Sequence, residues 1–359
     1  MAEEVAQDTS PSQTTLEGPP EQREQSSGVI GVLLKLRPLL LRAINIFLKQ
    51  REASIAVVAV VLVIYFQASN SVFLSKENIA LLGQYVAPAA IIAAGEVMLL
   101  ICGEIDLSVG NVFALAPFLM FRAFDGYGIP LTLSIILALL ASAFIGLVNG
   151  IVTVYFEVPS LIATLGTFFV LSGLTLIISD AFPALTPAPG TTYADVMGHG
   201  TYSGILWAIG ILIIMQVVLS RTRWGLHTVA TGGNPLGASE VGVNVRRIKI
   251  GNFMLTSIFG GLAGILESFR ITSIDPKAGG TDIMFAAVAG AVIGGTALQG
   301  GLGTVIGAFL GVLVTDILKD GFTILGVSAF DFDLILGTAI LVAMILNVRL
   351  QKLREAGRQ

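Results

Sequence analysis

Long apolar segments recur along most of this chain, and they constrain its fold more than any other feature. Ten of them approach or exceed the roughly 20 residues that a helix needs to cross a bilayer. Backbone groups in lipid must be satisfied internally, which favours helices for such uninterrupted runs. The prediction is an all-α polytopic membrane protein with about ten transmembrane helices, some of them broken. The predicted spans are 53–68, 79–101, 107–124, 130–152, 160–180, 203–220, 248–271, 282–298, 302–318 and 333–348.

Glycine is abundant, and its spacing late in the chain indicates helix packing. The chain has 41 glycines among 359 residues. Gly290 and Gly294, and again Gly303, Gly307 and Gly311, recur at intervals of four. Small residues at this spacing let membrane helices approach closely. Both stripes are therefore predicted to be packing faces, not ligand sites.

The distribution of positive charge predicts the topology. Cytoplasmic loops of membrane proteins carry an excess of Lys and Arg. With the N-terminus inside and ten alternating spans, 15 of the 20 Lys and Arg residues fall on the cytoplasmic side. One span more or fewer would place a basic segment on the wrong side. Ten spans with both termini cytoplasmic are therefore predicted.

The two ends differ in composition from the apolar part of the chain. Residues 1–28 are acidic and polar and are predicted to be a disordered tail. Residues 29–52 mix basic residues with leucines, which fits an amphipathic interfacial helix or simply a basic flank of the first span. A transmembrane domain follows over 53–348, and residues 349–359 form a basic cytoplasmic tail.

One long interior segment, residues 221–249, is polar, contains glycine and carries five Lys and Arg residues. Apolar blocks flank it on both sides, so it has to lie in water, and its positive charge predicts the cytoplasmic face. It is either the place where a cytosolic partner binds the membrane domain or an ordinary connecting loop.

Two carboxylates, Glu104 and Asp106, lie in the short break ICGEIDLSVG between the second and third spans. Asp106 could cap the third helix by accepting from its free N–H groups. Alternatively the break is a re-entrant segment that lines a passage, since irregular backbone at membrane depth lies against protein or water. Asn111 would then face inward, and Asn149 lies near a span end where polar side chains face protein.

Further acids lie within or next to predicted spans: Glu96, Glu267, Asp282 and Asp316. Intramembrane carboxylates indicate function by default, so proton or sodium coupling through Glu96 and Glu267 is one hypothesis. No basic partner is expected within the spans of those two acids, and a structural or substrate-contacting role is the alternative. No catalytic, metal or nucleotide motif is present, so neither an enzyme nor a cofactor is predicted.

Three motifs give the sequence a family resemblance. They are GEIDLSVG, the pattern NG(x)8PSLIATLGT over 149–167, and GGNPLGASEVGVNVRRIKI over 232–250. Together they resemble the membrane subunits of ribose-type bacterial ABC importers, which are related to branched-chain amino acid permeases. The resemblance runs from about residue 70 to about residue 347, in the same order.

This resemblance implies a permease subunit of the bacterial inner membrane that carries a monosaccharide or related polyol by alternating access. Its implied partners are an ABC ATPase, a periplasmic substrate-binding protein, a second permease chain (the same or a close paralogue) and membrane lipid, but no nucleic acid. The ATPase would hydrolyse ATP, and a short helix over 235–242 would dock on it. The matching coupling residues are Asn234, Pro235, Ala238, Ser239, Gly242, Val243 and Asn244.

The sequence departs from the family pattern at three acidic residues, namely Glu96, Glu104 and Asp316. Two alternatives therefore stay open: an ion-coupled secondary transporter that uses Glu96 and Glu267, or a branched-chain amino acid ABC permease. The predicted substrate path consists of Glu96, Glu104, Asp106, Asn111, Asn149 and Glu267.

Overall fold

The computed structural model describes residues 51–328 and the isolated positions 331, 334, 335, 337, 338, 341 and 345. Several predictions concern other parts of the chain. The acidic tail over 1–28, nearly all of the basic segment over 29–52 and the tail over 349–359 lie outside the described residues. The tenth span, 333–348, does so too, apart from those isolated positions.

Within residues 51–328 the regular structure is almost entirely helical. The longer helices are α1 (Arg51–Ser69), α2 (Lys76–Ile101), α3 (Val109–Phe121), α4 (Leu131–Tyr155), α5 (Ser160–Ser179), α7 (Ser203–Arg221), α8 (Arg223–Gly233), α10 (Val245–Ile271), α11 (Gly280–Ile293) and α12 (Val305–Ile324). Two short helices, α6 (Thr192–Ala194) and α9 (Pro235–Glu240), lie in the connections. Wide helical turns over Arg122–Gly126 and Asp195–His199 extend α3 and α6.

Six of these helices are long and apolar enough to cross a membrane: α1, α2, α4, α5, α7 and α10. Helices α3 and α11 have only 13 and 14 residues, and α12 carries Asp316, Lys319 and Asp320. Each of the first nine predicted spans overlaps one described helix. The all-α, membrane-spanning class is therefore confirmed for residues 51–328.

Helices α2 and α10 form the centre of the bundle. Every residue of α2 from Val86 to Ile101 is buried, and the helix continues without interruption through Pro88. In contrast, α1, α4, α5 and α7 expose large apolar side chains such as Ile64, Leu140, Ile177 and Ile213. Such surfaces fit a hydrocarbon environment, where apolar exposure has no cost.

Glycine allows the close contacts between α10 and its neighbours. A Cβ on Gly146 or Gly150 of α4 would collide with the backbone of α10. Gly260 and Gly264 of α10 in turn lie directly against α3, the latter against the carbonyl group of Phe113. Small residues bring these helix backbones together, as the glycine content predicts.

The glycine stripes of α11 and α12 also pack as predicted. Gly294 lies against the backbone of Gly307, and Gly311 against that of Gly290. The boundaries of these two predicted spans are wrong, however, because residues 294–304 are not helical. Gly295, Gly300 and Gly301 adopt positive φ angles there, which glycine tolerates and a helix does not.

The predicted irregular loop over 181–202 contains some regular structure. Strand β1 (Ala184–Leu185) pairs with strand β2 (Ser273–Ile274) in antiparallel register, with Ala184 opposite Ile274. This small sheet ties the loop after α5 to the end of α10. His199 lies in the same loop, with its Nδ1 atom 2.9 Å from Oδ1 of Asp195.

Candidate functional site

A partly buried junction connects α2 to α3 over residues 102–108. Its backbone is held by side chains of α5, because Ile105 N donates to Ser160 Oγ and Leu107 N donates to Thr164 Oγ1. On the opposite side, Gly301 N donates to the carbonyl of Ile101 at 2.8 Å. Helices α2, α3 and α5 and the α11–α12 linker therefore meet at this short segment.

Asp106 is the fully buried centre of the junction. Its Oδ1 atom accepts from the backbone N and the Oγ of Ser108, and its two oxygens accept longer bonds from Asn149 and Ser257. Burial raises the pKa of Asp106, and these hydrogen bonds oppose the rise. The alternative in which Asp106 caps α3 is wrong. The Oδ1 atom of Asp106 accepts from Ser108, and Ser108 precedes the helix.

The second carboxylate of the junction, Glu104, forms an ion pair. Lys249 Nζ donates to Glu104 Oε1 at 2.5 Å, and the two side chains are only 21% and 12% exposed, respectively. Lys249 lies in the first turns of α10 and Glu104 immediately after α2. The pair therefore links the beginning of α10 to the junction.

Glu96 is fully buried in α2, and its carboxylate oxygens accept no well-formed hydrogen bond among the described residues, although the backbone of Asp106 lies near them. Asp106 is close enough to act on it electrostatically. A buried polar group without a partner costs about 1–3 kcal/mol of stability.

The polar segment over 221–249 folds into α8, α9 and the start of α10. Trp224 Nε1 donates to Asn252 Oδ1 at 2.8 Å, and Asn252 Nδ2 bonds to Met98 O and Cys102 Sγ at the end of α2. Burial raises the pKa of the Cys102 thiol to about 12, so this thiol is unreactive. Helix α8 is thus anchored on α2 and α10.

Helix α9 follows this anchored base, and side chains cap its N-terminus and the N-terminus of α10 after it. Asn234 Oδ1 accepts from Gly237 N, and Asn244 Oδ1 accepts from Arg247 N at the start of α10. Gly242 ends the turn after α9 with φ +89°, a conformation that favours glycine. The predicted helix over 235–242 is present, two residues shorter at its end.

Two apolar side chains at α9 are almost fully exposed: Leu236 at 80% and Val241 at 81%. Ala238 between them is buried against the protein. Exposed apolar side chains on a polar, projecting segment are typical of a contact surface for another protein.

A cavity of about 660 Å³ lies between α2, α10, α11, α12 and the loop that precedes α11. This volume is within the range of about 300–1,000 Å³ typical of small-molecule sites. Its polar lining consists of Gln84, Tyr85, Glu267, Lys277, Asp282, Asp316, Lys319, Asp320 and Thr323. Apolar residues including Leu82, Phe113 and Ile283 complete the wall.

Glu267 reaches this cavity as one partner of an ion pair. Arg270 donates to both of its carboxylate oxygens, at 2.7 and 2.6 Å, and lies 5.5 Å from the centre of the Tyr85 ring. The expectation that Glu267 has no basic partner within its span is therefore wrong. Arg270 lies in the same helix, three residues after Glu267, and already falls inside the predicted span 248–271.

Comparison with known proteins identifies the family. The family model described as branched-chain amino acid transport system / permease component matches residues 78–346. A xylose/arabinose import permease protein of Sulfolobus acidocaldarius is 39% identical over 306 residues, 82% of this chain and 84% of that protein. The ribose import permease protein of Bacillus subtilis is 35% identical over 292 residues, 80% of this chain and 89% of that protein. The chain belongs to this permease family.

No solved structure matches the permease. An autoinducer 2 import system permease protein of Photorhabdus luminescens is 31% identical over 282 residues, 78% of the permease and 84% of that protein. Family membership and six apolar helices make the permease a multi-pass transport protein of the inner, cytoplasmic membrane.

The structure distributes the six predicted path residues of the permease over four places. Glu104, Asp106 and Asn149 meet at the junction. Asn111 Nδ2 donates to Phe168 O of α5 at 2.6 Å, and Glu96 lies inside α2. Glu267 lines the cavity, whereas the other five do not.

Sequence reasoning missed several residues of both candidate surfaces in the permease. Leu236 and Val241 could have been found as apolar residues in the one long polar segment. Lys277 lies between two predicted spans, and Lys319 and Asp320 lie just after another. Nothing in their local sequence indicates that packing gathers them around one cavity.

Proposed function

We propose that the permease is the membrane-spanning subunit of an ATP-driven ABC importer and moves a monosaccharide or related polyol inward by alternating access. The observation that carries this proposal is the similarity, over 80–82% of the chain, to permeases named for xylose/arabinose and ribose import. A separate ATPase subunit hydrolyses ATP, so the permease supplies the passage and the mechanical lever and is not an enzyme.

Helix α9 and its flanks are the proposed docking site for the ATPase. Leu236 and Val241 offer exposed apolar anchors. Around them lie the sequence-predicted coupling residues, of which all but Ala238 and the half-buried Val243 are exposed: Asn234, Pro235, Ser239, Gly242 and Asn244. Apolar anchors surrounded by polar residues are the usual composition of a protein interface. Ala238 supports the helix from beneath and does not itself contact the ATPase in this proposal.

Two contacts transmit a movement of the ATPase to the helices of the permease. Asn244 caps α10 directly after α9, so a displacement of α9 moves the beginning of α10. The Lys249–Glu104 pair then passes that movement to the junction between α2 and α3. Because α2 and α10 form the buried centre, a shift there changes the passage as a whole.

We also propose ten spans with both termini in the cytoplasm. This arrangement places 15 of the 20 Lys and Arg residues on the cytoplasmic side. The segment with α8 and α9 is then cytoplasmic, where the ATPase is. The cavity opens toward the outside, where a substrate-binding protein delivers substrate. A second permease chain and the surrounding lipid are the remaining proposed partners.

A branched-chain amino acid is the second candidate substrate, because the matching family model carries that description. Ion coupling through Glu96 and Glu267 receives less support. Arg270 neutralises Glu267, and Glu96 does not line the cavity.

The test is reconstitution of the permease in vesicles with its ATPase and substrate-binding protein. Uptake of D-xylose, D-ribose and L-leucine would be measured with and without ATP, and for the permease alone under an imposed proton or sodium gradient. We expect sugar uptake only with the ATPase and ATP. Accumulation by the permease alone under an ion gradient would overturn the proposal, and uptake of L-leucine in place of sugar would reassign the substrate.

A further inference from the structure

Helix α8 has an inverted distribution of polar and apolar residues. Its buried side is polar, because Thr228 and Thr231 expose none of their surface. Thr228 Oγ1 accepts from Asn252 Nδ2 at 3.3 Å, and the Thr228 carbonyl oxygen lies 3.8 Å from Cys102 Sγ. The polar side of α8 therefore faces the protein, where groups of α10 and the end of α2 pair with Thr228.

The exposed side of α8 is apolar. Leu226 is 66% exposed and Val229 is 36% exposed, and Ala230 beside them is half-buried. The spacings i, i+3 and i+4 place these three residues on one face of the helix. In water this arrangement exposes apolar area and buries hydroxyl groups, which is the reverse of what an aqueous surface favours. An apolar medium or partner therefore covers this face.

The position of α8 along the chain identifies lipid as that cover. Helix α7 ends at Arg221 and α8 begins at Arg223, with one residue between them. Toward its end α7 exposes Ile213 and Val217, as a span in hydrocarbon does. Because a helix rises only about 1.5 Å per residue, Leu226 stays near the end of this span. The apolar face of α8 therefore directly follows the lipid-facing surface of α7, at the level of the interfacial region.

Positive charge at the turn between α7 and α8 complements an anionic membrane surface. Arg221 and Arg223 are both exposed, and neither forms an ion pair among residues 51–328. An arginine near an anionic leaflet strengthens membrane binding about fivefold. An apolar face flanked by arginines is typical of a helix that lies in the membrane interface.

We propose that α8 lies in the membrane interface, with Leu226 and Val229 against acyl chains and Arg221 and Arg223 bound to the phosphates of anionic phospholipids. The inference rests on the proposed function only for the side of the membrane, since the proposed topology makes this leaflet the cytoplasmic one. It gives the two neighbouring helices different partners, namely lipid for α8 and the ATPase for α9. Lipid contact at α8 then sets the height above the membrane at which the ATPase docks.

The test uses fluorescent reporters in the full-length permease, purified in lipid nanodiscs. Cys102, the one cysteine of the chain, is replaced by Ser, and Leu226→Cys is labelled with the environment-sensitive fluorophore NBD. Ile213→Cys, exposed on α7, and Leu236→Cys, exposed on α9, are the matched controls. Quenching is measured with phospholipids that carry a doxyl spin label either just below the headgroup or at the end of the acyl chain.

We expect the label below the headgroup to quench the Leu226→Cys reporter at least about twofold more than the chain-end label, since interfacial helices lie about 5–10 Å deep. The Ile213→Cys reporter should respond more to the chain-end label, because Ile213 lies in the middle of α7. The Leu236→Cys reporter should emit as in water and respond to neither label.

Headgroup preference is measured with doxyl-labelled phosphatidylglycerol in phosphatidylcholine, and then with the label on phosphatidylcholine instead. At the same mole fraction, labelled phosphatidylglycerol should quench the Leu226→Cys reporter about two- to fivefold more. Arg221→Gln together with Arg223→Gln should remove this preference and leave the depth of the reporter unchanged. Arg122→Gln is the control and should keep the preference, because Arg122 is already paired with Asp180.

Two results would overturn the assignment. A Leu226→Cys reporter that emits as in water is not in lipid, and its shielding on addition of the ATPase would place α8 in the ATPase interface. Equal quenching by the two labelled lipids would exclude bound anionic headgroups.

These failures are separable from failure of the proposed function. If the reconstituted importer takes up sugar with ATP while the Leu226→Cys reporter is in water, the lipid contact is wrong and the function stands. If that reporter is in lipid but an impermeant maleimide added to intact cells labels Leu236→Cys, the lipid contact stands and the proposed topology fails.

Discussion

Lys249 and Glu104 are 145 residues apart in the sequence, yet Lys249 Nζ lies 2.5 Å from Glu104 Oε1. This largely buried pair joins the first turns of α10, next to the proposed ATPase docking helix, to the junction between α2 and α3. The pair therefore connects these two segments directly and is placed to transmit a movement between them.

Neutralising one partner of this pair should uncouple transport from ATP hydrolysis. In Glu104→Gln or Lys249→Gln, the sugar transported per ATP hydrolysed should fall severalfold, because α10 can then move without the junction. The charge-reversed double variant Glu104→Lys, Lys249→Glu should recover much of the loss, with a coupling energy of about 0.5–3 kcal/mol. Proteoliposome assays of transport and ATPase activity measure the ratio.

Asp180→Asn is the control for this experiment. Its pair with Arg122, at 3.3 Å, is exposed, and exposed pairs contribute little. The ratio should not change. A ratio that stays at the wild-type value in both single variants of the buried pair would refute the connection.

Charged substitutions at α9 should separate docking from folding. Leu236→Asp and Val241→Asp should weaken ATPase association about 10- to 100-fold, since each removes an exposed apolar anchor. Membrane insertion and thermal stability should stay the same because neither side chain packs on the permease. Co-purification of the tagged ATPase measures the effect, and Val196→Asp, at an exposed apolar position outside segment 221–249, is the control. Undiminished yield with both variants would remove α9 from the interface.

The packing of α11 on α12 should tolerate no added methyl group at Gly311. Its Cβ would collide with the carbonyl oxygen of Gly290, so Gly311→Ala should destabilise the permease by about 1–3 kcal/mol. Gly210→Ala in α7 is the matched control, because no atom lies within 4 Å of its Cβ position. Thermal unfolding in nanodiscs compares the two. Equal melting temperatures would show that the two helices separate more readily than their contact indicates.

Removing the buried carboxyl group of Glu96 should stabilise the permease and leave transport intact. Its oxygens accept no well-formed hydrogen bond among residues 51–328, so Glu96→Leu should raise the free energy of unfolding by about 1–3 kcal/mol. ATP-driven sugar uptake should stay within about twofold of wild type, a change of only about 0.4 kcal/mol in free energy. Abolished uptake in a variant that is still folded would instead support a direct role for Glu96, as ion coupling requires.

Local sequence was sufficient to find the helices and most of their boundaries. The apolar blocks coincide with α1, α2, α4, α5, α7 and α10, because length and hydrophobicity are local properties. The local sequence did not predict the break at residues 294–304. The average hydrophobicity is high there, although glycines end α11. The sequence also left open whether Asp106 caps α3, since spacing alone does not show that Asp106 Oδ1 accepts from Ser108.

The sequence by itself determined a polytopic helical membrane protein, its family and the short helix Pro235–Glu240 in a basic polar segment. Only the tertiary structure decided which polar groups lie together. Lys249 pairs with Glu104, Asn149 donates to Asp106, and Asp316 lines the same cavity as Glu267. The physical reason is that such pairings depend on how each helix is rotated and how closely glycines let it approach its neighbours. That information belongs to the packed bundle as a whole and is absent from any single segment.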